Sequence, residues 1–416
     1  MRSSQNIFFQ MIKWLYPGMK IKRWIFLLAF ALVLITLGSA RFFVEKSFFY
    51  RPIYILLTLL GVFLGVLGLR NILNSFLTVF MPSGDKELVD MIYRKRYLEK
   101  GPRIAVVGGG TGLSVLLQGL KEYTSNISAI VTVADDGGSS GRLRQQFDIL
   151  PPGDIRNCLV ALADAPALMQ DLFQFRFDSA SSELSGHSFG NLFITVMTKL
   201  TGDFEKAIKE SSRVLAIRGQ VIPATLNKVS LVARYKDGST MEGEASIPDR
   251  KRQISRVSLN PEDAQATPEA IKAIMQAQVI VLGPGSVYTS IIPNLLIKEI
   301  SEAIIKSPAL KIYICNVMTQ PGETGGYSAY DHIRALTEHS TGKIIDYCLV
   351  NSREVPGEML ERYRQTDSYP VSADIQKIRH AGYRVIEDDI INIQNYVRHD
   401  SGKLAKIVMG LVQENY

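Results

Sequence analysis

Two long apolar segments stand near the start of the chain, at residues 24–40 and 52–69, and neither contains a charged residue. Each approaches the ~17–25 residues that an α-helix needs to cross a bilayer. Basic residues precede the first segment, lie in the short loop and follow the second, an arrangement that places both ends in the cytoplasm. We therefore expect a multi-pass hairpin in the inner (cytoplasmic) membrane, with the main domain in the cytoplasm. A buried helical hairpin of a soluble protein is the alternative.

The pattern changes after Arg103, where short apolar runs alternate with segments of helical periodicity. This alternation predicts a three-layer α/β sandwich with a mostly parallel sheet. A turn at Lys236-Asp237-Gly238 predicts a small antiparallel excursion. The domains expected are a membrane hairpin over residues 1–80, a linker over 81–101 and an α/β domain over 102–416. The strands expected are 104–107, 130–134, 229–235, 240–245, 254–259, 279–282, 312–316 and 347–350, the last being the final strand. The helices expected are 111–123, 157–163, 167–173, 190–200, 203–215, 268–276, 291–306 and 327–338.

Charge is distributed unevenly along the 416 residues. Residues 1–100 hold 14 Lys and Arg against 5 Asp and Glu, whereas the rest holds 33 basic and 35 acidic residues. The main domain therefore lacks the positive surplus that grips a nucleic-acid backbone, and we expect no nucleic-acid partner. The cysteines, Cys158, Cys315 and Cys348, lie far apart, which fits a reducing compartment and no zinc site.

A glycine loop follows the first expected strand of the main domain, with the sequence Gly108-Gly109-Gly110-Thr111-Gly112-Leu113. Glycines let backbone N–H groups approach a phosphate, and the N-terminus of the next helix favours negative charge. Leu113 stands where a strict dinucleotide fingerprint has its third glycine, and no P-loop lysine follows. We expect a nucleotide or a nucleotide-sugar to bind here. A tight turn without a ligand is the alternative.

A second loop, Asp135-Asp136-Gly137-Gly138-Ser139-Ser140-Gly141, follows the second expected strand. Adjacent carboxylates repel each other, and a divalent cation or the hydroxyls of a sugar would relieve this repulsion. Its glycines and serines offer donors to phosphate, and Arg142 and Arg144 follow at once. The alternative is an Asx turn that caps the next helix.

Further polar residues occur at the starts of expected helices. Asp154 is a metal or ligand contact or simply a helix cap, and Asn157 is a hydrogen-bonding candidate. His187 is an acid–base candidate or a surface histidine, and Asn191 follows it in the helix that this string opens. Gly283, Gly285 and Ser286 form a third loop, and Asn316 leaves the next strand. The carboxyl ends of parallel strands share one sheet edge, so we expect these loops to form one site.

As an ordered set, these strings resemble the gluconeogenesis factor family, which is related to 2-phospho-L-lactate transferase. The matching strings are GGGTGL, ADDGGSSGRLR, PPGDIRN, GHSFGNL, IRGQVIPAT, VLGPGSVYTSIIPNLL and NVMTQPGET. The resemblance implies a Rossmann-like core that binds a UDP-sugar such as UDP-GlcNAc or UDP-glucose without a required cofactor. It implies a role in carbon metabolism, cell-wall precursor supply and cell shape during gluconeogenic growth. Cores of this type often pair, so a homodimer is also expected.

Two functions are therefore carried forward. The first is a nucleotide-sugar-binding regulatory protein that catalyses no reaction. The second, taken from the transferase relatives, is a Mg²⁺-dependent transferase in which Asp136 and Asp154 hold the metal. Its catalytic candidates are Asp136, Asp154, His187 and Arg144. A NAD-dependent oxidoreductase is disfavoured by the broken fingerprint.

Overall fold

The computed structural model describes residues 22–44, 47–80, 96–178, 183–249, 252–393 and 396–415. The chain divides into two compact units, residues 1–95 and 96–416. Residues 1–21 of the expected hairpin and 81–95 of the expected linker lie outside the described residues.

The described part of the first unit forms the helices α1 (Lys22–Val44) and α2 (Arg51–Phe80). Both are long and apolar enough to cross a membrane, with mean hydropathies of 2.2 and 2.3. They pack through small residues, because a β-carbon at Gly61 would lie 2.7 Å from Ile35 Cγ1 and one at Gly38 would lie 2.4 Å from Thr58 Oγ1. Large side chains on the outer surface are exposed, for example Phe30 and Phe43. The helices extend beyond residues 24–40 and 52–69 into the flanking polar sequence.

The second unit is built on a seven-stranded parallel sheet in the order β10-β9-β8-β7-β1-β2-β3. Its strands are β1 (Ile104–Gly108), β2 (Ile127–Val131), β3 (Gln220–Pro223), β7 (Val279–Leu282), β8 (Leu310–Ile314), β9 (Tyr347–Asn351) and β10 (Arg384–Asp388). Strands β1 and β7 are buried at every position, which explains their continuous apolar runs. The sheet and its covering helices confirm the expected α/β class.

Three strands form the antiparallel excursion in the order β5-β4-β6: β4 (Ser230–Tyr235), β5 (Thr240–Glu242) and β6 (Ile254–Asn260). The C-terminal strands β11 (Ile391–Ile393) and β12 (Val397–His399) pair antiparallel. The helices before β7 are α3 (Gly110–Leu120), α4 (Gly138–Phe147), α5 (Gly153–Leu162), α6 (Ala167–Gln174), α7 (Phe189–Thr201), α8 (Phe204–Val214) and α9 (Pro268–Gln276). The helices after β7 are α10 (Ile292–Leu295), α11 (Lys298–Lys306), α12 (Ala329–Glu338), α13 (Gly357–Arg364), α14 (Ile375–His380) and α15 (Ser401–Asn415).

Several expectations about these elements were wrong. The strand expected over 240–245 ends at Glu242, because Glu244–Ser246 forms a 3₁₀ turn. The second strand covers 127–131 rather than 130–134, because it pairs with β1 from Ile104↔Ile127 to Gly108↔Val131. The helix expected over 291–306 is a π-helical turn at 287–291 followed by α10 and α11, since the extended residue Ile297 interrupts it. The strand at 347–350 is not the last, because the polar edge strand β10 pairs with β9.

The strand order places a switch point between β1 and β7, since β2 and β3 lie on one side and β8 to β10 on the other. Ligands of open α/β sheets bind outside the carboxyl ends of strands at such a point. The loops after β1 and β7 are the first and third glycine loops, so the fold places both at this crevice.

Candidate functional site

A cleft of about 460 Å³ opens at the carboxyl ends of β1, β7 and β8. Among the predicted residues, Gly109, Gly110, Thr111, Gly112, Gly285, Ser286 and Asn316 line it. The other described lining residues are Val115, Glu244, Pro284, Thr289, Ser290, Val317, Met318, Gln320, Glu323, Tyr363, Val397, Arg398 and His399. Gly108 and Gly283 lie behind this lining, at the ends of the strands themselves.

The first and third glycine loops pack directly against each other. A β-carbon at Gly112 would lie 2.7 Å from the carbonyl oxygen of Pro284, and one at Gly285 would lie 3.2 Å from the carbonyl oxygen of Gly109. Helix α3 begins at Gly110, whose φ of 69° favours glycine. The N–H of Gly110 donates to the buried carboxyl group of Asp154. The other N–H groups of the first turn have no partners within the helix and are available to a ligand that approaches the cleft.

Ser286 joins the third loop to the loop that follows β8. Its Oγ atom accepts a hydrogen bond from the backbone N–H of Thr289 at 3.2 Å, which caps the π-helical turn. The same hydroxyl donates a short hydrogen bond to Oε2 of Glu323. Burial raises the pKa of Glu323 to about 7, although the bond from Ser286 opposes the rise. This contact fixes one wall of the cleft.

Two further carboxyl groups, those of Asp154 and Glu244, also have raised pKa values. Burial, with a smaller contribution from the charge of Asp135, raises the pKa of Asp154 to about 7. Burial also raises the pKa of Glu244 to about 8, and the charges of Asp135, Asp154 and Glu323 add to the rise. At neutral pH these groups retain protons part of the time. They can therefore donate hydrogen bonds to a ligand as well as accept them.

The two adjacent aspartates of the second loop point to different neighbours. Asp135 Oδ1 accepts the N–H of Gly137 at 2.9 Å, the Asx turn named as the alternative, and its charge acts on Asp154. Asp136 Oδ1 accepts the N–H of Ala245 at 2.9 Å, so it ties the loop to the residues after β5. The charge of Asp135 thus acts on Asp154, whereas the carboxylate of Asp136 is held by Ala245. That Asp136 and Asp154 hold a metal ion stays a prediction.

The described residues contain no group of three or more His, Cys, Asp and Glu side chains arranged to hold a metal ion. Mg²⁺ needs only one or two carboxylates when phosphate oxygens and water complete its shell. Asp135 and Asp154 are compatible with that mode of binding. Pro152 caps α5, and Asp154 lies in its first turn rather than serving as its cap.

A buried polar network lies beside the second loop. Ser139 Oγ accepts a hydrogen bond from Asn191 Nδ2 at 3.1 Å and lies 3.0 Å from His187 Nδ1. Burial lowers the pKa of His187, and the charge of Arg142 lowers it further. His187 is therefore neutral at pH 7 and joins the starts of α4 and α7, rather than lying exposed on the surface. Gly137 is the N-cap of α4, Gly138 begins it with a φ of 48°, and Ser140 is buried in it.

Two arginines extend this network. Arg156 is buried and donates to Ser188 Oγ at 2.5 Å and to Asn157 Oδ1 at 2.6 Å. Burial, with the nearby charge of Arg176, lowers the pKa of Arg156 to about 10. Arg144 is half-buried, and its Nη1 atom has no hydrogen-bond partner among the described residues. Neither arginine lines the cleft, so Arg144 and Asn157 act beside it.

Sequence reasoning missed the C-terminal wall of the cleft, which includes Tyr363, Arg398 and His399. Arg398 is the one Lys or Arg side chain among the described residues that line the cleft. It stacks over Tyr396 at 5.5 Å and makes no ion pair with a described residue. Burial lowers the pKa of His399 to about 4, so its ring is neutral. Arg398 and His399 lie on the three-residue strand β12 and Tyr363 lies on α13, and neither element has a glycine motif to identify it.

Known proteins share this fold and these motifs. Residues 104–391 match the family of 2-phospho-L-lactate transferase CofD. The gluconeogenesis factor of Bacillus subtilis is 51% identical over 314 residues, covering 75% of this chain and 99% of that protein. A related protein of Nostoc sp. is 47% identical over 422 residues, covering 96% of this chain and 92% of its own length. A crystal structure of a UPF0052 family member from Bacillus halodurans superposes with a TM-score of 0.72 at 47% identity. The match covers 74% of this chain and 99% of the chain in the Bacillus halodurans structure.

These matches confirm the resemblance indicated by the ordered glycine and acidic motifs. They span the parallel sheet and all three glycine-rich loops. The chain therefore belongs to the gluconeogenesis factor (UPF0052) family, whose α/β domain is shared with 2-phospho-L-lactate transferase.

Proposed function

We propose that this protein binds a nucleotide-sugar, UDP-GlcNAc or UDP-glucose, in the cleft at the β1–β7 switch point and acts as a regulatory protein. The observation that carries the proposal is that the glycine loops and Arg398 line the same cleft. Arg398 is the sole Lys or Arg among the described lining residues. A diphosphate needs N–H donors and a cation, and the start of α3 with Arg398 supplies both.

The remainder of the cleft suits a sugar. Asn316 and Gln320 offer amide donors and acceptors, and Glu244 and Glu323 offer carboxyl groups that retain protons near pH 7. Such groups hydrogen-bond to several hydroxyls at once without adding full negative charge beside the phosphates. Bound sugar would thus lie between the β8 loop and the residues after β5.

The names of the relatives motivate a cellular role, since several of them are called gluconeogenesis factor. We propose that nucleotide-sugar binding reports carbon status, and so supports carbon metabolism, cell-wall precursor supply and cell shape during growth on gluconeogenic carbon sources. A sensor of this kind needs saturable binding rather than turnover, and none of its steps requires a cofactor.

We further propose that α1 and α2 form a multi-pass anchor in the inner membrane, with the α/β domain in the cytoplasm. Their length, apolar composition and exposed outer side chains support this placement. Carbonate-washed membranes should retain the full chain, whereas a chain beginning at Arg96, the start of the second compact unit, should be recovered in the soluble fraction. Recovery of the full chain in the soluble fraction would contradict the anchor.

The second candidate is a Mg²⁺-dependent transferase of a nucleotide-activated phosphoryl-linked group. The match to the transferase family over residues 104–391 favours it, and the charge of Asp135 acts on the carboxyl group of Asp154. Bound Mg²⁺ would neutralise charge on the phosphates. The chain's own contribution would be to hold the ligand phosphates at the start of α3 and to orient the acceptor between Glu244 and Glu323.

Calorimetric titration separates the two candidates. The full chain in detergent is titrated with UDP-GlcNAc, UDP-glucose, GTP and NAD, each with Mg²⁺ and with EDTA. Saturable UDP-sugar binding in EDTA with no product formed supports the regulatory proposal. Binding of GTP that requires Mg²⁺, without UDP-sugar binding, contradicts it and supports the transferase.

A further inference from the structure

Three arginines lie together beside the second loop, outside the lining of the cleft. We call them the arginine cluster: Arg142 on α4, Arg156 on α5 and Arg176, which follows α6. Arg156 is only 7% exposed, whereas the other two are exposed. None of the three forms an ion pair with a described residue. Buried charges are normally paired, because removing a charge from water is costly, so the unpaired Arg156 requires an explanation.

The two exposed arginines converge on the turn that precedes α7. Arg142 Nη2 donates to the carbonyl oxygen of Ser185 at 2.7 Å, and Arg176 Nη1 donates to the carbonyl oxygen of Gly186 at 3.3 Å. Two guanidinium groups from different elements are therefore held at adjacent carbonyl groups. Like charges placed in this way repel each other, and no described carboxylate pairs with either of them.

Arg156 is the buried member of the cluster and is held in one orientation. Its aliphatic stem packs on α7, since a β-carbon at Gly190 would lie 2.8 Å from Arg156 Cδ. Its Nη1 and Nη2 atoms donate to Ser188 Oγ at 2.5 Å and to Asn157 Oδ1 at 2.6 Å. Its Nε atom is buried and has no hydrogen-bond partner among the described residues. A guanidinium has more N–H donors than these two bonds use, so donors remain for a ligand.

Arg176 lies close enough to Arg156 for their charges to interact. Arg176 pairs with Ser188 in an antiparallel bridge, and the Ser188 hydroxyl accepts the hydrogen bond from Arg156. Burial, with the charge of Arg176, lowers the pKa of Arg156 to about 10, so the guanidinium is still charged at pH 7. Two neighbouring cations, one of them buried, would be stabilised by an anion that contacts both.

The aspartates nearest to Arg156 do not supply this anion. The charges of Asp154 and Asp135 act on Arg156, but they oppose its lowered pKa without restoring it. Neither aspartate forms an ion pair with Arg156. Burial also raises the pKa of Asp154 to about 7, so its carboxyl group is protonated part of the time at neutral pH. The cluster therefore keeps an excess of positive charge.

The chemistry of the cluster indicates which anion fits. Guanidinium groups bind phosphate and carboxylate oxygens through parallel N–H donors. A carboxylate has two oxygens and one charge, whereas a phosphoryl group has three terminal oxygens and close to two negative charges near pH 7. Three guanidinium groups from separate elements thus match a phosphoryl group better than a carboxylate.

We propose that the arginine cluster is a second ligand site, which binds the phosphoryl group of inorganic phosphate or of a phosphate monoester. None of its three arginines lines the cleft, so the site stands independently of the proposed nucleotide-sugar binding.

Thermal unfolding of the full chain in detergent tests the site. The melting temperature is measured against increasing inorganic phosphate, glucose 6-phosphate or acetate at constant ionic strength. A ligand that binds only the folded protein raises the melting temperature in a saturable way. We expect saturable stabilisation by phosphate or glucose 6-phosphate and much less by acetate. The tighter of the two phosphates identifies the source of the phosphoryl group.

Two variants remove one guanidinium each at exposed positions, where the fold should be retained. Arg142→Gln and Arg176→Gln should each weaken phosphate binding about tenfold or more, because a hydrogen bond to a charged group is lost. The matched control is Arg234→Gln, since Arg234 is also exposed and has no ion pair with a described residue, but lies on β4. It should bind phosphate as the unmodified protein does, and so should Arg398→Gln.

Several outcomes would overturn the proposal. The first is the absence of saturable stabilisation by either phosphate. The second is equal stabilisation of the unmodified protein, Arg142→Gln and Arg176→Gln, because exclusion of phosphate from the protein surface stabilises every variant alike. Equal stabilisation by acetate would contradict selection of a phosphoryl group. Loss of phosphate binding in Arg398→Gln alone would place the phosphate in the cleft, which overturns this site but leaves the proposed function standing.

Discussion

The buried carboxyl group of Asp154 lies directly beneath Gly109 in the first glycine loop. A β-carbon at Gly109 would stand 2.6 Å from Asp154 Oδ2, and the same carboxyl group accepts the backbone N–H of Gly110. Glycine is thus required at residue 109 by close approach rather than by its backbone angle, since its φ of −171° is extended. The contact links the loop that lines the cleft to the acidic residues behind it.

Gly109→Ala should therefore displace the loop. The new β-carbon would also meet Thr132 Cγ2 at 2.7 Å, so it has little freedom to move. Overpacking of this kind costs about 1–3 kcal/mol. We expect a lower melting temperature and at least tenfold weaker UDP-GlcNAc binding, measured by calorimetry.

Gly325→Ala is the matched control, because a β-carbon there would meet no atom within 4 Å. It should leave both the melting temperature and the affinity close to those of the unmodified protein. Equal behaviour of the two variants would show that the approach of Gly109 to Asp154 has no energetic consequence.

The raised pKa of Asp154 predicts a pH dependence of stability. Folding raises this pKa from 3.8 to about 7, so the folded protein holds a proton that the unfolded chain would release. The stability gained from that proton is fully present below pH 3.8 and is lost as the pH rises through 7. Asp154→Asn should thus raise the melting temperature at pH 8 and leave it little changed at pH 4. An unchanged melting temperature of Asp154→Asn at pH 8 would mean that burial does not raise the pKa of Asp154.

Much of the fold follows from the sequence, because buried parallel strands are continuous apolar runs. Val279–Leu282 and the glycines after it predicted both a strand and a loop at the sheet edge, and the structure confirms them. The orientation of Asp135 and Asp136 could not be predicted, because it depends on Ala245, a residue more than 100 positions away that supplies a backbone donor. The place of Arg398 in the cleft could not be predicted either, because a three-residue strand is too short to show a periodic pattern in the sequence.

The different neighbours of the adjacent aspartates can be distinguished by mutation. The charge of Asp135 raises the pKa of Asp154, so Asp135→Asn should lower the midpoint of the pH–stability profile. Asp136→Asn is the matched control, because its amide oxygen can still accept the N–H of Ala245. It should shift the midpoint less. A larger shift with Asp136→Asn would contradict the assignment, because it would mean that the charge of Asp136 acts more strongly on Asp154 than the charge of Asp135 does.

The most direct test of nucleotide-sugar binding is calorimetric titration of UDP-GlcNAc into Arg398→Gln in EDTA, beside the unmodified protein and Arg234→Gln. Arg234 is also exposed and has no ion pair among the described residues, but it lies on β4, outside the cleft lining. A hydrogen bond to a charged group contributes about 1.5–3 kcal/mol, so Arg398→Gln should weaken binding ~10- to 150-fold. Arg234→Gln should bind as the unmodified protein does. Undiminished binding by Arg398→Gln, or no saturable binding by the unmodified protein, would contradict the account.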